Sequence, residues 1–113
     1  MSPEEVVRAQ LDAWATLDAE KILSYFGDQA VLVDPTGTYL GLGQLRGWVQ
    51  EHVKRMDHAE LKVLTVAVND SLVMVERVDR FIYDGKKVSA RCMGAFEVAG
   101  DKIVAWRDYF DMP

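Results

Sequence analysis

The region that decides the fold spans residues 60–110 and reads ELKVLTVAVNDSLVMVERVDRFIYDGKKVSARCMGAFEVAGDKIVAWRDYF. It divides into four runs rich in apolar and β-branched residues, at positions 60–68, 72–83, 87–98 and 102–110. The separators are Asn69-Asp70, Asp84-Gly85 and Ala99-Gly100-Asp101, and these residue types favour the tight turns of β-hairpins. Three consecutive hairpins predict an antiparallel meander of four strands.

Upstream of this region, apolar residues repeat at helical spacing. The first predicted helix begins near Pro3, a residue suited to the first turn, and its apolar stripe continues to Leu17. A second, shorter helix is predicted over residues 18–25, with Asp18 as its N-cap and Gly27 as its C-cap.

A short strand is predicted next, at residues 30–33 (AVLV), and the segment Asp34-Pro35-Thr36-Gly37 predicts the turn that ends it. A third helix is predicted over residues 44–56. Helices gathered ahead of an antiparallel meander predict an α+β fold, in which the helices cover one face of a curved sheet.

Length and composition limit the classes of function. The 113 residues are enough for one domain, residues 1–113, with one core and one pocket. The net charge of −5 disfavours nucleic acid and anionic membranes as partners, because both bind clustered Lys and Arg. The N-terminus lacks the pattern of a signal peptide, and a single cysteine, Cys92, cannot form an internal disulfide. We expect a cytoplasmic protein that acts on a small molecule.

Strand alternation then indicates which side chains face inward. In the run at 87–98, the even-numbered residues are apolar or small, whereas the odd-numbered ones include Lys87, Arg91 and Glu97, so the even set is predicted to face the interior. In the last run, Val104, Trp106, Asp108 and Phe110 share a face. The two large aromatic residues place that face inward, and with it the carboxylate of Asp108.

The run at 72–83 carries charges on both faces, so alternation alone does not choose its inner side. Arg77 and Asp79 share one face, and Glu76 and Arg80 share the other. If the Arg77 side faces inward, Arg77, Asp79 and Asp108 meet in one cavity. A guanidinium can bridge two carboxylates, and a carboxyl pair of unequal proton affinity can supply a general acid and a general base. A buried ion pair that only fixes the register of the sheet is an equally good explanation.

These residues resemble a known family. The segments Glu76-Arg77-Val78-Asp79, Gly94-Ala95-Phe96, Gly100-Asp101-Lys102-Ile103 and Trp106-Arg107-Asp108-Tyr109-Phe110-Asp111 are similar to those of the limonene-1,2-epoxide hydrolase family. That family lies within the wider SnoaL-like, NTF2-like superfamily. The resemblance implies a cone in which three N-terminal helices pack on a curved, mixed but mostly antiparallel sheet and enclose one apolar pocket.

The resemblance also implies a reaction. A cofactor-independent epoxide hydrolase of this type adds water to a small apolar epoxide and forms a vicinal diol. By position, Asp108 is the general base that activates water, Asp79 is the general acid that protonates the epoxide oxygen, and Arg77 holds both. No metal or organic cofactor is implied. A homodimer is expected from the same resemblance, with Glu76, Arg80 and Arg91 near its interface.

The predicted pocket walls come from all parts of the chain. They are Leu11, Trp14, Leu32, Met56, Phe81, Ala90, Cys92, Trp106 and Phe110. The family holds its water with a Tyr and an Asn on the first strand, and the matching positions here are Leu32 and Asp34. Asp34 is therefore a candidate for positioning water.

Two other functions stay open from the sequence. Asp34-Pro35-x-Gly37 resembles the segment that carries the base of ketosteroid isomerase, so Asp34 is also a candidate base for a proton-transfer isomerase or polyketide cyclase. A non-catalytic ligand-binding module of the same superfamily is the third possibility. His52 and His58 are six residues apart without a third ligand in the pattern, and no metal site is predicted.

Overall fold

A computed structural model describes residues 1–112, and in this part of the chain three α-helices pack against a six-stranded sheet. The helices are α1 (Pro3–Ala13), α2 (Ala19–Leu23) and α3 (Gly41–Arg55), and a 3₁₀ turn at Trp14–Thr16 links α1 to α2. The strands are β1 (Phe26–Asp34), β2 (Gly37–Leu40), β3 (Met56–Asn69), β4 (Leu72–Tyr83), β5 (Lys86–Ala99) and β6 (Lys102–Tyr109).

The sheet has the strand order β2-β1-β6-β5-β4-β3. Strands β3 to β6 form the predicted meander, and β1 joins its far edge by pairing in parallel with β6. Strand β2 then folds back on β1 as an antiparallel hairpin. The fold is the expected α+β cone, with a mixed, mostly antiparallel sheet that is not closed into a barrel.

The helix starts follow the capping chemistry of the sequence. Ser2 and Glu5 form a capping box on α1, in which the Ser2 hydroxyl accepts from the Glu5 amide at 3.1 Å and Glu5 accepts from the Ser2 amide at 2.8 Å. Asp18 caps α2 as predicted, because its carboxylate accepts from the Lys21 amide at 3.2 Å.

The hydrophobic core lies between the inner face of the sheet and the helices. Its fully buried members include Val6 and Val7 of α1, Ile22 of α2, Leu45 and Val49 of α3, and Val73, Val75, Phe96 and Trp106 of the sheet. Burial of these side chains is the main source of stability for the layered arrangement. No helix within residues 1–112 has both the length and the apolar character needed to cross a membrane.

The structure corrects three predictions about the first half of the chain. Gly27 does not cap α2, because Ser24 occupies the C-cap and Gly27 already lies in β1. Strand β2 was not predicted, since its four residues gain their strand geometry only by pairing with β1. Helix α3 begins at Gly41, where a φ of +80° suits glycine, rather than at Gln44.

Strand β6 also differs from simple alternation. The register shifts between Glu97–Ala105 and Val98–Ile103, so one extra residue of β6 is accommodated as a bulge. Ile103 is therefore fully buried and Val104 is 38% exposed, which reverses the prediction that Val104 faces inward. Beyond the bulge the predicted alternation holds, and Trp106 and Asp108 are both buried.

Candidate active site

Strand β4 turns Arg77 and Asp79 toward the interior. Val73 and Val75 lie on the same face, four and two residues before Arg77, and are fully buried, so the odd-numbered side of β4 is the inner side. Strands β4 and β5 pair Arg77 with Cys92. Strand alternation did not decide which face of β4 is the inner one. The burial of Val73 and Val75 shows that Arg77 and Asp79 lie on the inner face.

Arg77 bridges two carboxylates from different strands. Its side chain is only 2% exposed, and its Nε and Nη2 donate to Asp79 Oδ1 and Oδ2 at 2.8 and 3.1 Å. On the other side, Nη1 and Nη2 donate to Asp108 Oδ1 and Oδ2 at 3.0 and 2.6 Å. Both contacts are bidentate, which fixes the positions of the two carboxyl groups relative to each other.

Trp106 completes the surroundings of Asp108. The indole Nε1 of Trp106 donates to Asp108 Oδ1 at 2.6 Å, and the Arg77 guanidinium carbon lies 5.7 Å from the centre of the Trp106 ring. The first contact gives Asp108 a third hydrogen bond, and the second is within the range of a cation–π interaction between Arg77 and the Trp106 ring. Trp106, itself buried, therefore orients both members of the pair.

Gly94 provides the space in which this cluster packs. It lies directly opposite Asp108 in the pairing of β5 with β6. A Cβ atom added there would meet Arg77 Nη1 at 2.7 Å and Asp108 Oδ1 at 2.8 Å, closer than real Cβ contacts occur. Strand alternation predicted that Gly94 faces inward, but the close approach of Arg77 and Asp108 to it depends on the packing of three strands and has no signal in the sequence.

Burial and the neighbouring charges shift the pKa values of Asp79 and Arg77. Burial raises the pKa of Asp79 above its ordinary value, against the opposing attraction of Arg77. Burial alone would lower the pKa of Arg77, but the carboxylates of Asp108 and Asp79 outweigh it and raise that pKa, so the guanidinium stays charged. One guanidinium and two carboxylates carry a net −1, and a proton on Asp79 would neutralise the cluster.

The cluster forms the polar end of a cavity of about 380 Å³, a volume suited to a small molecule. Most of the remaining wall is aromatic or aliphatic. The lining residues are Trp14, Asp34, Thr36, Trp48, His52, Met56, Leu61, Arg77, Asp79, Phe81, Tyr83, Trp106, Asp108, Phe110 and Met112. Carboxyl groups thus face a cavity whose wall is mostly apolar.

Five of the predicted wall residues line this cavity: Trp14, Met56, Phe81, Trp106 and Phe110. The other four do not belong to its lining as described. Leu11 and Leu32 are buried in the core behind it, whereas Ala90 and Cys92 lie on β5 opposite Asp79 and Arg77. These four residues do face the interior, as predicted. The sequence pattern does not tell which of the inward-facing residues line the cavity.

Two wall residues of α3 were missed. Trp48 and His52 are four residues apart, which places them on one face of the helix, and their rings lie 4.4 Å apart. His52 Nδ1 lies 2.8 Å from the Trp48 carbonyl oxygen, to which it can only donate. The spacing of these two aromatic residues was the available signal, but His52 was considered only as a metal ligand and Trp48 was not placed in the pocket wall. Among residues 1–112, no group of His, Cys, Asp or Glu side chains is arranged to hold a metal ion.

Asp34 lies at the end of β1, beside the cluster. The parallel register pairs Val33 with Arg107, which places Asp34 next to Asp108 along the adjacent strands. Its Oδ1 accepts from the Thr36 amide at 2.8 Å and from the Thr36 hydroxyl at 2.5 Å. Asp34 therefore both holds the turn to β2 and contributes a carboxylate to the cavity wall.

Comparison with known proteins identifies the family. A family model described as "SnoaL-like domain" matches residues 7–106, which is most of the chain. The chain belongs to the SnoaL-like domain family. This result confirms the resemblance to the SnoaL-like, NTF2-like superfamily on which the expected fold was based.

Individual relatives extend the comparison. Epoxide hydrolase EphG of Mycobacterium tuberculosis is 29% identical over 111 residues, which cover 94% of this chain and 71% of that protein. The structure of an M. tuberculosis LEH-like epoxide hydrolase superposes with a TM-score of 0.86 at 26% identity, over 96% of this chain and 82% of that one.

A hypothetical protein from Catenulispora acidiphila, described as having a ketosteroid isomerase-like fold, gives a TM-score of 0.87 at 20% identity. The match covers 99% of this chain and 88% of that one. At this level of identity the likeness shows the fold alone. The chain is a SnoaL-like domain, and epoxide hydrolases are among its relatives at modest sequence identity.

Proposed function

We propose that this protein is an epoxide hydrolase that adds water to a small epoxide and releases a vicinal diol. The observation that carries the proposal is the double bidentate bridge, in which Arg77 holds Asp79 and Asp108 at one end of an apolar cavity. The likeness to epoxide hydrolase EphG supports the same reaction class.

Asp108 acts as the general base. Arg77 and Trp106 donate three hydrogen bonds to its two oxygens, which fixes the direction in which it can accept a proton from water. The water attacks one ring carbon as its proton moves to Asp108, and the C–O bond of that carbon breaks. Positioning of this kind supplies much of the rate enhancement in general base catalysis.

Asp79 acts as the general acid. Its raised pKa means that it holds a proton more readily than an ordinary aspartate does, and its side chain remains 17% exposed toward the cavity. It gives its proton to the epoxide oxygen as the ring opens, so no alkoxide accumulates. After diol release, Asp108 carries the proton taken from water and Asp79 is ionised, and proton exchange through solvent restores the starting state.

Asp34 is proposed to orient the attacking water. It is adjacent to Asp108 across β1 and β6, and Thr36 holds its Oδ1 in place. A carboxylate there can accept one hydrogen of a water whose other hydrogen points at Asp108. This arrangement replaces the Tyr and Asn that the resemblance to limonene-1,2-epoxide hydrolases had implied for that task.

Turnover of cyclic alkene oxides in oxygen-18 water tests the proposal. The wild-type protein should form diol containing one labelled oxygen, and Asp108→Asn should lower kcat/KM at least about 100-fold, since a positioned general base contributes on that scale. Asp57→Asn, which changes an exposed carboxylate on β3, is the matched control and should keep full activity. Absence of diol from the wild-type protein across the panel would reject the proposal.

A proton-transfer isomerase or cyclase is the second candidate, because Asp34 itself lines the cavity. Such an enzyme would exchange a hydrogen next to a carbonyl group with solvent deuterium, and Asp34→Asn would abolish the exchange. If exchange occurs, and Asp108→Asn leaves it unchanged, the isomerase function replaces the hydrolase function. A protein that shows neither reaction but binds the same molecules is a ligand-binding module.

A further inference from the structure

The imidazole ring of His52 has one nitrogen that the protein holds and one that it leaves free. Nδ1 lies 2.8 Å from the carbonyl oxygen of Trp48, which can only accept, so Nδ1 carries the proton of the neutral ring. In that tautomer the second nitrogen, Nε2, has a lone pair and acts as an acceptor. The contact with Trp48 therefore decides what kind of partner Nε2 can bind.

The free nitrogen of His52 is accessible. Within residues 1–112, the fully enclosed side-chain nitrogen and oxygen atoms without a partner belong to Gln10, Trp14 and Trp48. Nε2 of His52 also has no hydrogen bond to this part of the chain but is not one of these enclosed atoms, so it keeps accessible surface. His52 is half-buried and lines the cavity. Because Nδ1 is turned against the backbone of α3, Nε2 points away from that backbone.

His52 lies toward the end of the cavity away from Asp79. Its ring centre is 4.4 Å from that of Trp48 and 5.9 Å from that of Tyr83, and both neighbours line the cavity. Tyr83 follows Asp79 by four residues on the inner face of β4, which corresponds to about 13 Å along a strand. A six-membered ring with one short substituent covers most of that span once a hydrogen bond of about 3 Å is added at each end.

The acceptor at Nε2 selects a ligand that can donate a hydrogen bond. Carbonyl, ether and carboxylate oxygens have no hydrogen to give, so they do not pair with it. A hydroxyl and an amine both donate, but an amine is also a nucleophile that opens epoxide rings. A hydroxyl is stable beside an epoxide in neutral water, so it is the donor that suits an epoxide substrate.

We propose that the substrate is an epoxide with a hydroxyl group at its far end, and that Nε2 of His52 accepts a hydrogen bond from this hydroxyl while Asp79 and Asp108 act on the epoxide. The identity of the reactive group rests on the proposed function, whereas recognition of the hydroxyl does not. His52 is thus a specificity-determining residue, and the substrate class narrows from plain hydrocarbon epoxides to hydroxylated ones.

Nitrogen-15 NMR of the two histidine rings tests recognition without any reaction. The spectra are recorded at pH 8, where an ordinary histidine is neutral, and His58→Gln assigns the resonances. His58 is an exposed residue of β3 and serves as the internal control. The free protein should carry the His52 proton on Nδ1. Cyclohexylmethanol should shift the Nε2 resonance of His52 and leave His58 unchanged, whereas its methyl ether, which keeps the oxygen but lacks the hydrogen, should shift neither.

This measurement separates the inference from the hydrolase proposal. A His52 proton on Nε2, or equal or absent shifts with the alcohol and the ether, overturns the inference and leaves the hydrolase proposal standing. A selective shift with the alcohol supports the inference even if the wild-type protein forms no diol from any epoxide.

A matched pair of epoxides tests the same inference during turnover. The pair is cyclohexene oxide bearing a 4-hydroxymethyl group and the same compound bearing 4-methoxymethyl. The ratio of their kcat/KM values should favour the alcohol and fall about tenfold in His52→Phe, the loss expected for one hydrogen bond, whereas His58→Phe should leave it unchanged. A ratio that His52→Phe does not alter overturns the inference. If His52→Phe fails to fold, the NMR measurement, which keeps His52, decides.

Discussion

Gly94 is the residue on which the geometry of the Arg77–Asp79–Asp108 cluster depends most directly. Any side chain there would enter the space that Arg77 and Asp108 occupy, so at least one of these two buried side chains would have to move. The absence of a side chain at this position is therefore part of the site.

Gly94→Ala should lower kcat/KM about 100-fold, because a displacement of around 1 Å at reacting groups has an effect of that order. Steady-state kinetics with the best epoxide of the panel measures the loss. Gly47→Ala is the control: no atom lies within 4 Å of the added Cβ, and alanine in the interior of α3 should raise the free energy of unfolding by up to about 1 kcal/mol. Full activity in Gly94→Ala would contradict the proposed role of the cluster.

The raised pKa of Asp79 predicts how activity depends on pH. As a general acid, Asp79 works when protonated, so kcat should fall as pH rises through its raised pKa. The folded state also binds this proton more tightly than the unfolded state, so the associated stability is present below the ordinary pKa of 3.8 and is lost as pH rises through the raised value.

A pH series of kcat and of the urea midpoint checks both parts, and Asp79→Asn is the comparison variant. In that variant kcat should be low at every pH, and the loss of stability assigned to Asp79 should disappear. A kcat that rises with pH over the same range would exclude Asp79 as the acid.

Cys92 should react slowly with thiol reagents in the folded protein. Burial raises the pKa of its thiol to about 12, and its side chain is almost inaccessible. Since the thiolate is the reactive form, alkylation by iodoacetamide at pH 8 should be at least about 100-fold slower in the native state than in urea. Similar rates in the two states would show that β5 does not shield the thiol.

At the scale of the elements, the capping box of α1 offers a clean test of stability. Ser2→Ala removes the acceptor for the Glu5 amide and should lower the free energy of unfolding by about 1 kcal/mol. Urea denaturation measures the change, and Ser89→Ala, on the exposed side of β5, should have a much smaller effect. Epoxide turnover should be the same in both variants, because neither residue lies near the cavity.

The accuracy of prediction also differs between elements. Strands β4 to β6 were predicted to within about a residue, because two or three turn-forming residues mark each hairpin and act locally. Strand β2 and the start of β1 were not predicted. Strand β2 takes strand geometry only by pairing with β1, and the start of β1 pairs with β6, which is far away in the chain. The bulge in β6 had no local signal, so the orientation of Val104 was predicted wrongly.

The candidate site was also predicted only in part. Alternation and charge predicted which three side chains could meet, since an arginine and two aspartates on inner faces need one another. Alternation could not predict that Gly94 makes room for them, or that Trp48 and His52 rather than Leu11 and Leu32 border the cavity. Those facts depend on distances between elements, which a one-dimensional pattern does not contain.

At the scale of the whole molecule, the outer face of the sheet predicts self-association. Glu76, Met93 and Tyr109 lie in one row across β4, β5 and β6, and Leu64 lies in the bulge of β3 beside this row. Leu64, Met93 and Tyr109 are 46%, 41% and 62% exposed. Arg91 flanks the row, and Glu76 and Arg91 border the same shallow depression as the apolar residues. A two-fold axis through the row would place Glu76 of one copy near Arg91 of the other, so a second copy is the occupant we expect.

Light scattering coupled to size-exclusion chromatography should give twice the chain mass of 12.8 kDa. Met93→Glu should convert the protein to a monomer, whereas Leu40→Glu, at an exposed apolar position on β2 outside the row, should leave the dimer intact. A wild-type protein that elutes as a monomer at micromolar concentration would refute this expectation.

The parallel pairing of β1 with β6 has a consequence for the order of folding. Hairpins β3–β4, β4–β5 and β5–β6 join neighbours in sequence, but the contact of Leu32 with Trp106 must close a loop that contains most of the chain. Such closure is entropically unfavourable and slow compared with hairpin formation. The meander should therefore form early with Arg77 and Asp108 already within reach, and the seam between β1 and β6 should set the overall folding rate.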